Sequence, residues 1–248
     1  MKCLVLAAGY ATRLYPLTEN FPKPLLEVKG KTILDWLLDD IDEAHMINEY
    51  IIISNHKFIE HFNKWKENKK LSCKITIIDD GTISNETRLG AVVDINLAIK
   101  QLNIDEDLMV IAGDNLLDFS LQTFINYFQK KKDTCIMRYY ENNKEKIKKS
   151  ASVLIDNNDL VLDMVEKPEN PNSNWCCPPF YIYNKNAVKK VSIALENGCK
   201  SDAPGSFIAY LHKNQKVYAM EMPGHRYDIG NIESLNNARE NYDGIIEK

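Results

Sequence analysis

The sequence lacks the features that would assign it to several common classes of protein. Its six cysteines form no CxxC pair and show no zinc-like spacing with histidine, which excludes a zinc module. With no secretory leader at the N-terminus, these thiols favour a reduced, cytoplasmic protein. No apolar run approaches the roughly 20 residues that span a bilayer, so we expect no membrane association. No Ser/His or Cys/His arrangement suggests nucleophilic catalysis.

An excess of positive charge is also missing. Lysine and arginine number 31 against 35 aspartates and glutamates, which gives a net charge of −4. The one lysine cluster, KEKIKK at residues 144–149, is interpreted as a solvated surface loop. We therefore expect no nucleic-acid partner.

Apolar runs of strand length recur along the chain and predict the fold. They are residues 2–8, 50–54, 73–79, 108–114, 134–140, 152–156, 179–184 and 216–222. Helical periodicity separates the first four of these runs, at residues 32–44, 58–68 and 89–102. Further helices are expected after a loop within 196–211 and at 233–242. This alternation predicts a three-layer, Rossmann-like, doubly wound α/β fold with a mostly parallel mixed sheet and a small C-terminal substrate-binding lobe. We expect one domain over residues 1–248, with a nucleotide-binding half at 1–115 and an acceptor-binding half at 116–248.

The loop after the first strand predicts a polyphosphate site. It lies in the stretch LVLAAGYATRLYPLTENFPKPLLEV, residues 4–28. Ala7, Ala8 and Gly9 are small, so a flat ligand such as a base can approach their backbone closely. Arg13 offers a guanidinium fork and Lys23 a second cation, on a path that prolines stiffen. The loop matches neither the Walker pattern GxxxxGK[ST] nor the dinucleotide pattern GxGxxG.

Three charged residues from other segments add to this prediction. Asp114 ends an apolar strand in IAGDNLL, and Asp228 lies in RYDIGN before the final helix. Two carboxylates from distant segments suit a Mg²⁺–triphosphate complex, although each alone would more often be a turn or cap residue. Lys167, in VEKPENP, could hold a second phosphate or belong to a charged turn.

The opening stretch resembles the signature of the sugar-1-phosphate nucleotidylyltransferases, usually written GxGTRLxPLTxxxPKPLLxV. Residues 9–28 read GYATRLYPLTENFPKPLLEV. Ala11 stands where the family usually has glycine, and a positive φ at an alanine would cost energy. The resemblance extends through GDN at 113–115, EKP at 166–168 and YDIG at 227–230, and so covers nearly the whole chain.

The resemblance implies a role for each of these positions. Arg13, Lys23 and Asp114 are expected to be catalytic, and Asp114 and Asp228 to hold Mg²⁺. The implied nucleotide-binding residues are Leu6, Ala7, Ala8, Gly9, Thr12, Arg13, Lys23, Arg88 and Gly90. The implied acceptor-binding residues are Glu166, Lys167 and Pro179, the glutamate contacting sugar hydroxyls and the lysine the sugar phosphate.

The expected activity is Mg²⁺-dependent transfer of a nucleotidyl group from an NTP to a sugar 1-phosphate. The chain departs from the family at Pro178–Pro179, at Ala151–Ser152 and at Arg88, all around the acceptor and the base. These departures leave a CTP-dependent enzyme acting on a non-sugar phosphate or phosphonate as the alternative. A non-catalytic nucleotide sensor is a more distant alternative. The partners expected are an NTP and a small phosphorylated acceptor, and because relatives are often oligomeric, a homo-oligomer is also considered.

Overall fold

A computed structural model describes residues 1–246 and divides the chain into two compact units. Unit 1 comprises Met1–Arg88, Ala112–Thr123 and Pro223–Lys248, and unit 2 comprises Leu89–Ile111 and Phe124–Met222. The last two residues of the predicted domain, 247 and 248, lie outside the described residues.

The strands and helices follow one another along the chain with these bounds. The strands are β1 Lys2–Leu6, β2 Glu27–Val28, β3 Lys31–Thr32, β4 Glu49–Ser54, β5 Lys74–Asp79, β6 Leu108–Ala112, β7 Asn115–Leu117, β8 Thr134–Tyr140, β9 Ala151–Ile155, β10 Val161–Glu166, β11 Trp175–Cys177, β12 Phe180–Tyr183, β13 Val217–Glu221 and β14 Arg226–Asp228. The helices are α1 Ile33–Glu43, α2 Ile59–Asn68, α3 Ala91–Gln101, α4 Gln122–Lys131, α5 Lys144–Ile147, α6 Lys185–Val188, α7 Val191–Glu196, α8 Gly205–Leu211 and α9 Ile232–Asn241.

Unit 1 is built on three parallel strands. β4 pairs with β1 on one side and β5 on the other, and every residue of β4 is buried. Such continuous apolar strands are typical of a parallel sheet that is covered on both faces. A second apolar cluster packs the opening loop against the antiparallel pair β7–β14 and helix α9; its members include Leu14, Leu26, Leu116, Ile229 and Leu235. This cluster fixes the loop beside the two predicted aspartate segments.

Unit 2 is built mainly on antiparallel strands, in the order β10-β9-β11-β8-β12-β6, with β13 parallel to β8. Helix α8 packs against β10, and α7 packs against α3 and α8. The end of β10 and the start of α8 are therefore neighbours, which matters for the acceptor residues below.

The predicted Rossmann-like α/β fold with a mixed sheet is confirmed, but the expected predominance of parallel strands holds only for unit 1, because the strands of unit 2 pair mainly antiparallel. All eight predicted strands are present, although the first ends at Leu6 and leaves Ala7–Gly9 in the loop. The elements not predicted from the sequence are the strands β2, β3, β7, β10, β11 and β14 and the helices α4, α6 and α7. Residues 144–149 were interpreted as a surface loop, but Lys144–Ile147 form the short helix α5. Among the described residues, no helix is both long enough and apolar enough to cross a membrane.

Candidate functional site

The backbone after β1 is only partly open to a ligand. The Ala7 N–H donates to the Ile53 carbonyl (2.9 Å), and the Ala8 carbonyl accepts from the Asn55 side chain (3.0 Å). Ala7 and Ala8 are buried, whereas Gly9 is exposed and a Cβ atom placed there would have no atom within 4 Å. Of the three small residues predicted to receive a base, Gly9 offers the accessible backbone.

Ala11 adopts the left-handed conformation that its side chain disfavours. Its φ is 49° and its ψ 41°, and its carbonyl accepts a hydrogen bond of 2.8 Å from the Thr18 hydroxyl. For an alanine this conformation costs about 1–2 kcal/mol. The short 3₁₀ turn Thr12–Leu14 follows, with Leu14 fully buried and Thr12 and Arg13 exposed. The turn is thus anchored through its leucine and presents its polar residues to solvent.

Lys23 and Asp114 meet directly, although 91 positions separate them in the sequence. The Lys23 ammonium donates to Asp114 Oδ2 (2.6 Å) and to the Ile229 carbonyl (2.9 Å). Asn115 Nδ2 donates to the other carboxylate oxygen of Asp114 (2.6 Å). Burial raises the pKa of the Asp114 carboxyl, but the charges of Lys23 and Arg226 outweigh it and the net effect lowers the pKa. Asp114 is therefore held as a carboxylate.

Asp114 follows β6 closely, and the same segment contacts the end of β1. The Gly113 N–H donates to the Leu6 carbonyl (3.1 Å), and a Cβ at Gly113 would lie 3.0 Å from the Val5 side chain and 3.2 Å from Pro24. Glycine at this position lets Asp114 lie against the first strand and the Lys23 turn. Leu6 thus contributes a backbone carbonyl that is already engaged within the protein.

Asp228 lies next to Asp114 through the pairing of β14 with β7, in which it is opposite Asn115. Its side chain is 56% exposed. Arg226 Nη1 donates to Asn115 Oδ1 (2.7 Å) and lies 3.7 Å from Asp228 Oδ2. Sequence reasoning missed Arg226 and Asn115, yet both lie in the motifs that were quoted, RYDIGN and GDN.

Arg13 brings a second cation to the same end of unit 1. A Cβ atom placed on Gly230 would lie 4.0 Å from Arg13 Nη1, and Gly230 follows Ile229, whose carbonyl binds Lys23. Within the described part of the chain, the exposed Arg13 guanidinium has no hydrogen bond or ion pair. An exposed guanidinium without a partner, beside a lysine–aspartate pair, suits an anionic ligand.

The two aspartates fit a magnesium ion that a substrate completes. Asp114 and Asp228 offer hard carboxylate oxygens from adjacent strand ends. Residues 1–246 contain no group of three or more His, Cys, Asp or Glu side chains that would hold a metal alone. Mg²⁺ typically takes one or two protein carboxylates and fills its other positions with phosphates and water. The donor set therefore suits Mg²⁺ bound together with a nucleotide.

In unit 2, Glu166 is the last residue of β10 and Lys167 follows it. Lys167 has a φ of 49°, and its ammonium lies 3.5 Å from Asp202 Oδ2. Burial raises the pKa of the Glu166 carboxyl; Lys167 lowers it and Asp202 raises it, and the net effect is upward. A partly buried carboxylate beside an exposed ammonium suits a ligand with both hydroxyl donors and an anionic group.

Pro179 lies close to the row of paired residues that contains Glu166 on the neighbouring strands. Glu166 is opposite Ala151, and Ala151 is opposite Cys177, two residues before Pro179. Pro179 is half-buried in the turn between β11 and β12, where the Phe180 N–H donates to the Pro178 carbonyl (2.8 Å). The structure thus brings the third predicted acceptor residue to this end of unit 2.

Arg88 and Gly90, which were predicted to bind the nucleotide, have different surroundings. Arg88 is exposed and its guanidinium folds back to Asn85, contacting the carbonyl (3.3 Å) and the side-chain oxygen (3.4 Å). Gly90 has a φ of 95°, and a Cβ there would lie 2.7 Å from the Ser201 carbonyl oxygen. Close packing therefore accounts for this glycine, and a contact with a nucleotide stays a prediction.

Known proteins resemble this chain over most of its length. A family model described as nucleotidyl transferase matches residues 2–244. The chain is 29% identical over 237 residues to the bifunctional protein GlmU of Methanocaldococcus jannaschii, covering 93% of this chain and 51% of that protein. It is 26% identical over 243 residues to the glucose-1-phosphate adenylyltransferase of Fervidobacterium nodosum, covering 93% and 58%. The chain thus spans about half the length of the curated relatives it matches.

A solved structure shares the fold. A UDP-glucose pyrophosphorylase complexed with UDP-glucose superimposes with a TM-score of 0.83, covering 97% of both chains at 22% identity. At this identity the likeness shows the fold alone.

Proposed function

Because this chain belongs to the nucleotidyl transferase family, we propose that it transfers a nucleotidyl group from an NTP to a sugar 1-phosphate and releases pyrophosphate. The observation that carries the proposal is the cluster of Lys23, Asp114 and the exposed Asp228, together with the exposed Arg13 guanidinium, which has no partner among residues 1–246. Cations on a stiff loop next to two carboxylates suit an Mg²⁺–triphosphate complex.

In the proposed reaction a phosphate oxygen of the acceptor attacks the α-phosphorus of the NTP. The new P–O bond forms as the bond between the α-phosphorus and the bridging oxygen breaks, and pyrophosphate leaves with the electron pair. The attacking phosphate is already ionised at neutral pH, so no general base is needed. Charge repulsion and orientation are the main obstacles, and the protein's task is to reduce both.

The side chains divide this task. Arg13 and Lys23 stabilise the charge that builds on the departing pyrophosphate, and Lys23 also holds Asp114 in place. Asp114 and Asp228 would hold Mg²⁺, which when bound neutralises phosphate charge. Lys167 binds the phosphate of the acceptor, and Glu166 accepts hydrogen bonds from the hydroxyl groups of the acceptor's sugar. Leu6–Gly9, Thr12, Arg88 and Gly90 are proposed to contact the nucleotide, and Pro179 the acceptor.

A second candidate is a CTP-dependent enzyme acting on a non-sugar phosphate or phosphonate. The observation that favours it is the Asp202 carboxylate, which lies 3.5 Å from the Lys167 ammonium and raises the pKa of Glu166. Two carboxylates around one lysine would also suit an acceptor with an ammonium group, such as aminoethylphosphonate.

The test is pyrophosphate release with Mg²⁺ over a grid of substrates. CTP, UTP, dTTP, GTP and ATP are each combined with hexose 1-phosphates, phosphocholine and aminoethylphosphonate. Turnover with one hexose 1-phosphate supports the main proposal and identifies both substrates. Turnover restricted to CTP and a non-sugar acceptor supports the second candidate. Silence across the grid with retained NTP binding would favour a nucleotide sensor and contradict both.

We also propose a division of the chain between the two substrates, a cellular location and an oligomeric state. Residues 1–115 serve the nucleotide and 116–248 the acceptor, with Asp228 returning to the nucleotide side. The cytoplasm is the proposed location, because NTPs are made there. Light scattering of the purified protein would test the predicted homo-oligomer.

A further inference from the structure

Gly205 leaves room for the Glu166 carboxylate. A Cβ atom placed on Gly205 would lie 2.2 Å from Glu166 Oε2, 3.1 Å from Met164 Cε and 3.5 Å from Glu166 Cδ. A separation of 2.2 Å is far inside van der Waals contact, so any side chain at position 205 would push the carboxylate away. Glu166 occupies its place only because residue 205 is glycine.

The backbone of Gly205 does not itself require glycine. Its φ is not positive, unlike that of Gly90, and it is the first residue of helix α8. In a helix alanine is more favourable than glycine by up to about 1 kcal/mol. The backbone at this position therefore does not call for glycine, whereas the space taken by the Glu166 carboxylate does.

The residues just before Gly205 contact the other acceptor residue. Asp202 lies 3.5 Å from the Lys167 ammonium. The backbone of this segment is held on α3, because the N–H of Val92 donates to the Ser201 carbonyl (2.9 Å) and the N–H of Ala91 to the Asp202 carbonyl (3.3 Å). Residues 201–205 therefore form a fixed surface against which both Glu166 and Lys167 lie.

We propose that Gly205 is a positioning residue for the acceptor, acting by fixing the place of the Glu166 carboxylate. This inference rests on the proposed function, in which Glu166 binds the acceptor's hydroxyl groups. It predicts that an added methyl group at position 205 affects acceptor binding through Glu166, its nearest neighbour, and leaves the nucleotide side unaffected.

The experiment is a double-mutant cycle of Gly205→Ala and Glu166→Ala, with the substrate pair that the wild-type protein turns over. In Gly205→Ala we expect the KM of the acceptor to rise at least tenfold, kcat to stay within threefold, and the KM of the NTP to stay within twofold. In the Glu166→Ala background, Gly205→Ala should change the acceptor KM by less than twofold, because the group it displaces is gone. The melting temperature of Gly205→Ala should equal or exceed that of the wild type.

Binding gives a readout that does not depend on turnover. Calorimetry with glucose 1-phosphate should show at least tenfold weaker binding to Gly205→Ala than to the wild type. An unchanged acceptor KM and affinity in Gly205→Ala would overturn the inference, and so would an equal loss in the Glu166→Ala background. A wild type that neither binds glucose 1-phosphate nor turns over any sugar phosphate would instead contradict the proposed function.

Discussion

Replacing Glu49 by glutamine should remove a pH-dependent part of the stability of unit 1. Glu49 begins β4 and is 3% exposed, with Lys2 of β1 and Lys74 of β5 directly opposite it on the two neighbouring strands. Its carboxylate binds the Lys2 ammonium, the Lys74 ammonium (3.0 Å) and the Thr76 hydroxyl (2.6 Å). One carboxylate therefore joins all three parallel strands.

The pKa of Glu49 gives the size of the effect. Burial raises this pKa, but the hydrogen bonds from Lys2, Thr76 and Lys74 outweigh burial and lower it from 4.5 to about 2. At roughly 1.36 kcal/mol per pKa unit this corresponds to about 3 kcal/mol, which the exposure of Lys74 reduces. Because the folded pKa lies below the unfolded one, the stabilisation is complete above pH 4.5 and is lost as the pH falls toward 2.

Urea unfolding of the wild type and Glu49→Gln at pH 7 and pH 3 measures this term. At pH 7 we expect the variant to be less stable by up to about 3 kcal/mol, and at pH 3 more than half of that difference should have disappeared. Glu67→Gln, an exposed change in the same unit, should show no such gap at either pH. An equal difference at pH 7 and pH 3 would refute the reasoning, because it would trace the loss to packing rather than charge.

Three further changes test the proposed chemistry. Asp114→Asn should lower kcat/KM by at least about a hundredfold with the fold retained. The control Asp105→Asn, which breaks ion pairs to Lys185 (2.9 Å) and Lys189 (3.1 Å), should leave kcat/KM unchanged. Near-wild-type turnover in Asp114→Asn would contradict the assignment of Asp114 as a metal ligand. Arg13→Lys should raise the KM of the NTP because an ammonium lacks the bidentate fork, and its free energy of unfolding should stay within about 0.5 kcal/mol of wild type; an unchanged KM would mean that Arg13 does not bind phosphate. Lys167→Ala should raise the acceptor KM and lower kcat, and a loss confined to NTP affinity in calorimetry would contradict its role.

Sequence reasoning predicted much of unit 1. The apolar runs predicted the parallel strands because buried parallel strands are apolar on both faces. Such a run can be recognised in the sequence without knowing which strands it pairs with. The opening motif singled out Lys23, and GDN singled out Asp114. Their 2.6 Å contact across 91 positions agrees with the interpretation of both as parts of one site.

Other contacts of the candidate site depend on how distant segments pair and pack, which the sequence does not show. Arg226 reaches Asn115 only because β14 pairs with β7 in the observed register. Gly205 and Glu166 lie 39 positions apart, and nothing in either motif indicates that one makes space for the other. Short strands such as β7, with three residues, leave too little periodicity to predict which partner they will find.

Seven non-glycine residues of the described chain have a positive φ, and most of them lie in ordinary turns away from the candidate site. Three of them, at His45, Asn103 and Lys132, follow the ends of helices, where a left-handed residue commonly terminates a helix. Two more, at Lys29 and Asp159, lie in the turns of the hairpins β2–β3 and β9–β10. The remaining two are Ala11, two residues before Arg13, and Lys167 itself. Neither ends a helix nor closes a hairpin, and each costs about 1–2 kcal/mol. Each lies at or close to one of the predicted phosphate-binding cations, Lys167 and Arg13. Ala11 adopts a left-handed conformation that glycine, the usual residue at this place in the signature it resembles, would adopt more easily.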